Sequence, residues 1–270
     1  FQRNSRNPQA IETLMGPVRR VTQGHPLADA IVLRHLDDLI AHQAPTAPLV
    51  DFGKVEGELW EKLADELVAN YVFRNVQSTL IPICHTISLV RQFDLVLLRK
   101  LLEDTNQVPG MTVQEYGGLL NQLFATGFVF WSKQHKAYIL DDTLRHILSE
   151  YIYRHNSQTY ARINTLVAEH YRESISREGE NLGAYIVEEL YHRSCVQRIC
   201  LDNMLAAKQY HVQCIDPENL LCDRLQAYRE MVPDEEIQAA TFDRLRHELA
   251  EDQELYELLG IERHQRLVGR

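Results

Sequence analysis

One change of hydrophobic period constrains this chain more than any other feature. Over "FVFWSKQHKAYIL", residues 128–140, two short apolar runs, Phe128 to Trp131 and Ala137 to Leu140, flank a polar tip. That pattern predicts a β-hairpin. Just upstream the spacing is helical: a helix over Phe93 to Leu102, a turn at "NQVPGM", then a second helix in "TVQEYGGLLNQLFATGF". Thr112 is placed to cap this second helix, and Val113, Tyr116, Leu119, Leu120, Leu123 and Phe124 form its apolar face. Helix, turn, helix and hairpin in this order are the order of a winged helix.

The flanking sequence reads as helix throughout. Residues 9–23 and "PLADAIVLRHLDDLIAHQ" form two helical patterns. In the second, Leu27, Ile31, Leu36 and Ile40, with Ala30 and Leu39 beside them, share one face, and Pro26 stands at the first helical position. "APTAPLVDFGK" then breaks the periodicity as a connection. From Glu56 a long helical stretch leads to Pro82, which is expected to end or kink a helix. Beyond Asp141 only helical patterns remain. They run from "DTLRHILSEYIYRH" and "QTYARINTLVAEHYRESIS" through "AYIVEELYHRSC" and "QRICLDNMLAAKQYHV" to two further segments. The expected fold is therefore mainly α: a helical lid segment over 1–50, a winged-helix domain with a small hairpin wing over 51–150, and a repeat-like helical bundle over 151–270.

Bulk properties narrow the function. With 270 residues and 45% hydrophobic content, the chain can bury a sizeable core. A net charge of −10 disfavours a broad surface for nucleic acid or anionic membrane. No run approaches the roughly 20 apolar residues of a membrane span. The start, "FQRNSRNPQA", lacks Met and reads as the polar middle of something longer. Five Cys at irregular spacing favour free thiols in a reducing compartment, so a cytoplasmic location is expected.

A winged helix invites a DNA-binding reading, as in a transcription regulator, but a recognition helix needs basic or amide side chains at several exposed positions. Between Thr112 and Phe130 there is no Lys or Arg, and Gly117 and Gly118 stand mid-helix. Lys133 and Lys136 are the only basic residues of the wing, with Gln114, Asn121 and Gln122 as polar readers. DNA is therefore the disfavoured partner. The crowding of His192, Cys195, Cys200, His211 and Cys214 could supply two ligand pairs, but buried packing is the ordinary reading and no metal is expected. "ICHTIS" reads as helix core. The pairs Asp37 and Asp38, Asp141 and Asp142, and Glu188 and Glu189 read as solvated faces or helix starts, with Asp141 an N-cap. No phosphate-binding Gly-x-x-x-x-Gly-Lys-Ser/Thr loop occurs, so no catalytic residue is assigned and nucleotide hydrolysis by this chain alone is not expected.

Three stretches, in order, resemble one family. "VTQGHPLADAI" resembles the Gly-x-Pro turn of the STAND class of signalling ATPases, which includes apoptotic ATPases, plant resistance proteins and bacterial regulators. "RQFDLVLLRKLL" followed by "GGLLNQLFATGFVFWSKQHKAYILDDTLRHIL" is similar to the winged helix that follows that turn, and "YARINTLVAEHYRESI" and "YIVEELYHRSC" to the helices beyond it in bacterial members. The resemblance implies a regulatory fragment in which the turn's Pro lies against a nucleotide base and the winged helix closes over ADP. It assigns Gly24, His25 and Pro26 to the turn. The family's Met-His-Asp motif falls on Leu140, Asp141 and Asp142, so an acid replaces the phosphate-binding His and would repel phosphate. Arg145, one turn further on, offers a substitute cation, though such an Arg is ordinarily a surface residue. The resemblance further implies ATP or ADP in the full-length protein, with no cofactor of this chain's own. The partners implied are the protein's own ATPase core domain and other proteins.

Overall fold

The computed structural model describes residues 24–41, 52–105, 110–133, 135–175 and 182–207, with isolated positions elsewhere. The fold is mainly helical with one small antiparallel hairpin. The chain divides into two compact units, residues 1–156 and 157–270. Most of the first helical pattern and the segments beyond residue 207 lie outside the described residues.

In the first unit, helix α1 (Pro26–Ala41) starts at its proline. Its buried residues are Ala28, Ile31, Val32 and Leu36, while Ala30 is exposed and Leu27 and Leu39 are half-buried. The expected stripe is thus rotated. The helix has apolar residues on more than one side, and its partners select which of them face inward. Helix α2 (Phe52–Lys62) begins within the stretch expected to be a connection. It continues into a π-helix, Leu63–Val72, whose wider turn is closed by the Phe73 N–H donating to the Val68 carbonyl. Leu63, Ala64, Leu67 and Val68 are buried on it, and α1 and α2 both pack against it. The Arg34 and Glu66 ion pair, and the half-buried His35 with Nε2 3.7 Å from Glu58, border that contact.

Pro82 lies in the first turn of helix α3 (Ile81–Ile87), so it starts a helix rather than ending one. The N–H groups of the first turn have no intrahelical acceptor, which makes a proline's missing N–H harmless there. Helix α4 runs Leu95–Asp104, capped by Asp94, whose carboxylate accepts the Leu97 N–H at 2.7 Å. Phe93, expected to be helical, is instead extended. It exchanges two backbone hydrogen bonds with Tyr138, at 2.9 and 2.8 Å, and so adds a single bridging residue on the far side of β2. The β-propensity of "RQF" was masked by the apolar run that follows it.

Helix α5 (Val113–Ala125) begins with a complete capping box. The Thr112 hydroxyl accepts the Glu115 N–H at 3.4 Å, and the Glu115 carboxylate accepts the Thr112 N–H at 2.6 Å. Tyr116, Leu119, Leu120 and Leu123 are buried as expected, but Val113 is 72% exposed. A residue at the very start of a helix projects beyond the turn that packs. Thr112→Ala should cost about 1 kcal/mol, read as a lower urea midpoint with an unchanged slope. A midpoint equal to the parent's would show that the cap contributes nothing.

Strand β1 (Val129–Ser132) pairs with β2 (Ala137–Leu140), with Val129 opposite Leu140 and Trp131 opposite Tyr138. Gly127 enters the hairpin at φ +78°, a conformation that favours glycine. Helix α6 (Asp142–His155) closes the unit, packing on α2, α3 and the π-helix. In chain order α3, α4, α5 and the hairpin follow the sequence of a winged helix.

The second unit shows helix α7 (Ser157–Ile175) packed along helix α8 (Leu182–Ala207). Two patterns read as separate helices are one, because nothing at Val196 interrupts the backbone. Residues Ile186 to His192 are all buried, so α8 is enclosed around its circumference there rather than along one stripe.

Candidate functional site

The Gly-x-Pro turn is a closed hydrogen-bonded structure. Gly24 has φ +71°, and a Cβ built on it would meet nothing within 4 Å. Its N–H donates to the Thr22 hydroxyl at 3.2 Å, and the His25 N–H donates to the Thr22 carbonyl at 3.0 Å. Thr22 is fully buried, and its hydroxyl donates to Asp29 in the first turn of α1 at 2.5 Å. His25 is the helix N-cap: its Nδ1 accepts the Ala28 N–H at 3.3 Å. Two donors that a phosphate would need are therefore either used, at Ala28, or missing, at Pro26. The Asp29 carboxylate further offsets the positive end of the helix dipole. Pro26 itself is exposed.

Asp141 is an N-cap, as its position between strand and helix predicts. Its carboxylate accepts the Leu144 N–H at 3.0 Å, and its own N–H donates to the Phe128 carbonyl at 2.8 Å, tying α6 to the hairpin. Arg145 is not a surface residue. It is 8% exposed, with Nε 3.9 Å from Asp142 and further interactions beyond that pair. The turn residues and the Asp141 and Arg145 pair sit on separate helices, α1 and α6, that have the π-helix as a common neighbour.

Beside the π-helix an aromatic and polar group joins α2, α3 and α6. The Trp60 indole N–H donates to Glu56 at 3.3 Å, Glu56 pairs with Arg154 at 3.1 Å, and Arg154 with Glu150 at 2.9 Å. Trp60 stands edge-on to His146, with ring centroids 5.2 Å apart. His85 lies between Phe73 and Tyr151 at 5.7 and 6.5 Å. Burial pushes His85 below an ordinary histidine's 6.5. The unfolded chain therefore takes up this proton first, and the stability tied to His85 is present above about pH 6.5 and lost as pH falls below it. His85→Gln should flatten that part of the stability-versus-pH curve; an unchanged slope between pH 7 and 5 would refute it. The neighbouring Cys84 thiol is pushed up to about 11 by burial, so it stays protonated and a poor nucleophile at neutral pH. "ICHTIS" is helix core, with Ile83, Cys84, Thr86 and Ile87 buried.

The second unit overturns one reading outright. Glu188 and Glu189, expected on a solvated face, are 5% and 0% exposed. Glu189 accepts from the Arg193 Nε at 3.0 Å, and Arg193 also donates to Glu169 on α7 at 3.0 Å. His192 is fully buried, with Nδ1 2.7 Å from the Asn164 amide oxygen. The Asn164 NH2 group donates to the Tyr160 carbonyl at 2.9 Å, which turns its oxygen toward the imidazole and makes Nδ1 the donor. Nε2 then faces Glu188 at 3.8 Å, and the Tyr171 ring stacks 6.3 Å away. Sequence spacing alone carried no sign of this network, because charged residues on an all-round apolar helix look the same whether they meet solvent or a partner. Cys195 is buried beside it in sequence. Among the described residues no group of three or more His, Cys, Asp or Glu could hold a metal; His211 and Cys214 lie outside them.

Among the described residues no helix is long and apolar enough to cross a membrane. Comparison with known proteins gives no relationship to argue from: no family model, no curated protein and no solved structure matches the chain.

Proposed function

We propose that this chain is a regulatory and interaction segment of a STAND-type signalling ATPase, acting in the cytoplasm, in which a winged helix governs a closed-to-open switch and the helical region makes protein contacts. The observation that carries the reading is the surface of α5. Its exposed residues include Val113, Gln114, Glu115, Gly118, Asn121 and Gln122, with no cation among them. A helix of that kind suits packing against protein and is poorly equipped for a phosphate backbone. The exposed ring of Pro26 beside an open left-handed Gly24 is compatible with one wall of a purine site, the other wall belonging to the ATPase core domain. Phosphate contact is the weaker half of the analogy, because Asp29 occupies the first turn of α1 and Asp141 is engaged as a cap.

Two measurements test this reading. Purified chain titrated with ADP or ATP should show weak or no binding and no turnover; clear hydrolysis lost on Pro26→Ala would overturn it. Mixed-sequence DNA should give no shift at low salt. Binding that weakens steeply with added salt would instead favour a winged-helix transcription regulator. A Walker-type phosphate loop encoded upstream of Phe1 is the further expectation.

A further inference from the structure

We propose that the outer edge of β1 is a docking edge for an extended acidic peptide segment of a partner protein, which adds to the hairpin as another strand. Tyr138 spends both its backbone groups on Phe93, at 2.9 and 2.8 Å, so neither points toward β1. Trp131, directly opposite Tyr138, therefore belongs to a non-hydrogen-bonded pair, and its own N–H and C=O point outward from the sheet. Val129, two residues earlier, has the same orientation. Phe130 and Ser132 take the hydrogen-bonded positions facing β2. The Asp141 N–H donating to the Phe128 carbonyl continues the alternation. Among the described residues nothing pairs with this outer edge.

The side chains make the edge attractive to a strand. Trp131 is 47% exposed and shares a face with Tyr138, whose ring lies 4.8 Å away, while Phe130 is 42% exposed on the opposite face beside Ile139. An added strand would therefore meet an exposed aromatic on either side of the sheet. Proteins ordinarily guard such an edge with a charge or a proline inside the strand. Val129 to Ser132 contains neither.

Charge selects the partner. From Tyr116 to Leu140 there is no Asp or Glu, and the only charged residues are Lys133 and Lys136 at the hairpin tip. Both are exposed and neither forms an ion pair among the described residues. In a chain of net charge −10 this is a local positive end beside an apolar strand edge. A segment with apolar residues against Val129 to Trp131 and acidic residues reaching the tip is complementary on both counts. A second copy is not. Antiparallel pairing about Phe130 would set each lysine tip beside the other copy's Gly127 and Phe128, where no acid stands, and four residues a side fall far short of the roughly 1,200 Å² of a stable interface.

The test uses the full chain and two fluorescein-labelled octapeptides, Val-Thr-Val-Ile-Val-Asp-Glu-Asp and the same residues in reverse order, followed by anisotropy. At least one should bind saturably. Lys133→Glu with Lys136→Glu, both at exposed positions, should weaken it about tenfold, and a peptide with Lys in place of its acids should then bind the variant better than the parent. Trp131→Pro, which deletes an outward N–H without touching the β1 to β2 hydrogen bonds, should also abolish binding, with a cooperative melt and a parent-like far-UV spectrum as the folding control. Four results would overturn the proposal. They are no saturable binding of either acidic peptide, binding indifferent to the lysine reversals, tighter binding of a dT12 oligonucleotide than of either peptide, and a concentration-dependent dimer that Trp131→Pro dissolves.

Discussion

Phe93→Ala is expected to lower the stability of the first unit by about 3–5 kcal/mol. Phe93 is 1% exposed and its ring lies tilted against that of Tyr138 with centroids 5.9 Å apart, while its backbone closes the bridge beside the hairpin. Truncation removes the ring and leaves a cavity that the bridge holds open, because the backbone on both sides is hydrogen-bonded in place. Intrinsic fluorescence suits the measurement. The chain's two tryptophans, Trp60 and Trp131, both lie in the first unit, so a urea titration followed at their emission reports that unit. Phe130→Ala, removing a half-exposed ring from the same hairpin, should cost under about 1 kcal/mol. Equal losses for the two variants would mean that Phe93 does not organise the core.

The second large effect is expected in the other unit. Arg193→Leu takes away the cation that Glu169 and the fully buried Glu189 share, and should cost about 3 kcal/mol, since a buried carboxylate that loses a cationic partner keeps its desolvation penalty with less to offset it. Glu189→Leu combined with Arg193→Leu should recover much of that loss, because the buried carboxylate and its desolvation penalty are then both removed. Far-UV circular dichroism during denaturation follows the helices of both units, and the transition left after subtracting the one seen at the first unit's tryptophan emission is that of this unit. A double variant no more stable than the single one would show that the pair is not coupled.

Legibility in the sequence followed how local each signal is. Thr112 with Glu115, Asp94 and Asp141 were placed to cap helices, and caps depend on residues three positions apart, so the chain announces them. Of these caps, local spacing predicts Thr112 and Asp141. The hairpin strands are visible as a change of period, to within one residue. Phe93 is not visible as extended, because its partner Tyr138 is far along the chain and a single bridging residue has no period of its own. Val113 falls on the predicted apolar face yet is exposed, because apolar character shows only what can be buried. The candidate turn divides the same way. Gly24 and Pro26 mark a helix start from sequence alone, but the engagement of Thr22, His25 and Asp29 around it depends on side-chain directions that no spacing shows.

By itself, the sequence determined the element types, most helix starts and the helix, turn, helix and hairpin order, since these rest on propensities and hydrogen bonds within a few residues. Only the tertiary structure decided which face of α1 is buried, that Arg145, Glu188 and Glu189 lie inside, and that the β1 edge is open. The reason is physical. Burial, ion pairing and strand edges are properties of which surfaces meet, and that is settled by packing between segments distant in the chain rather than by the residues of any one of them.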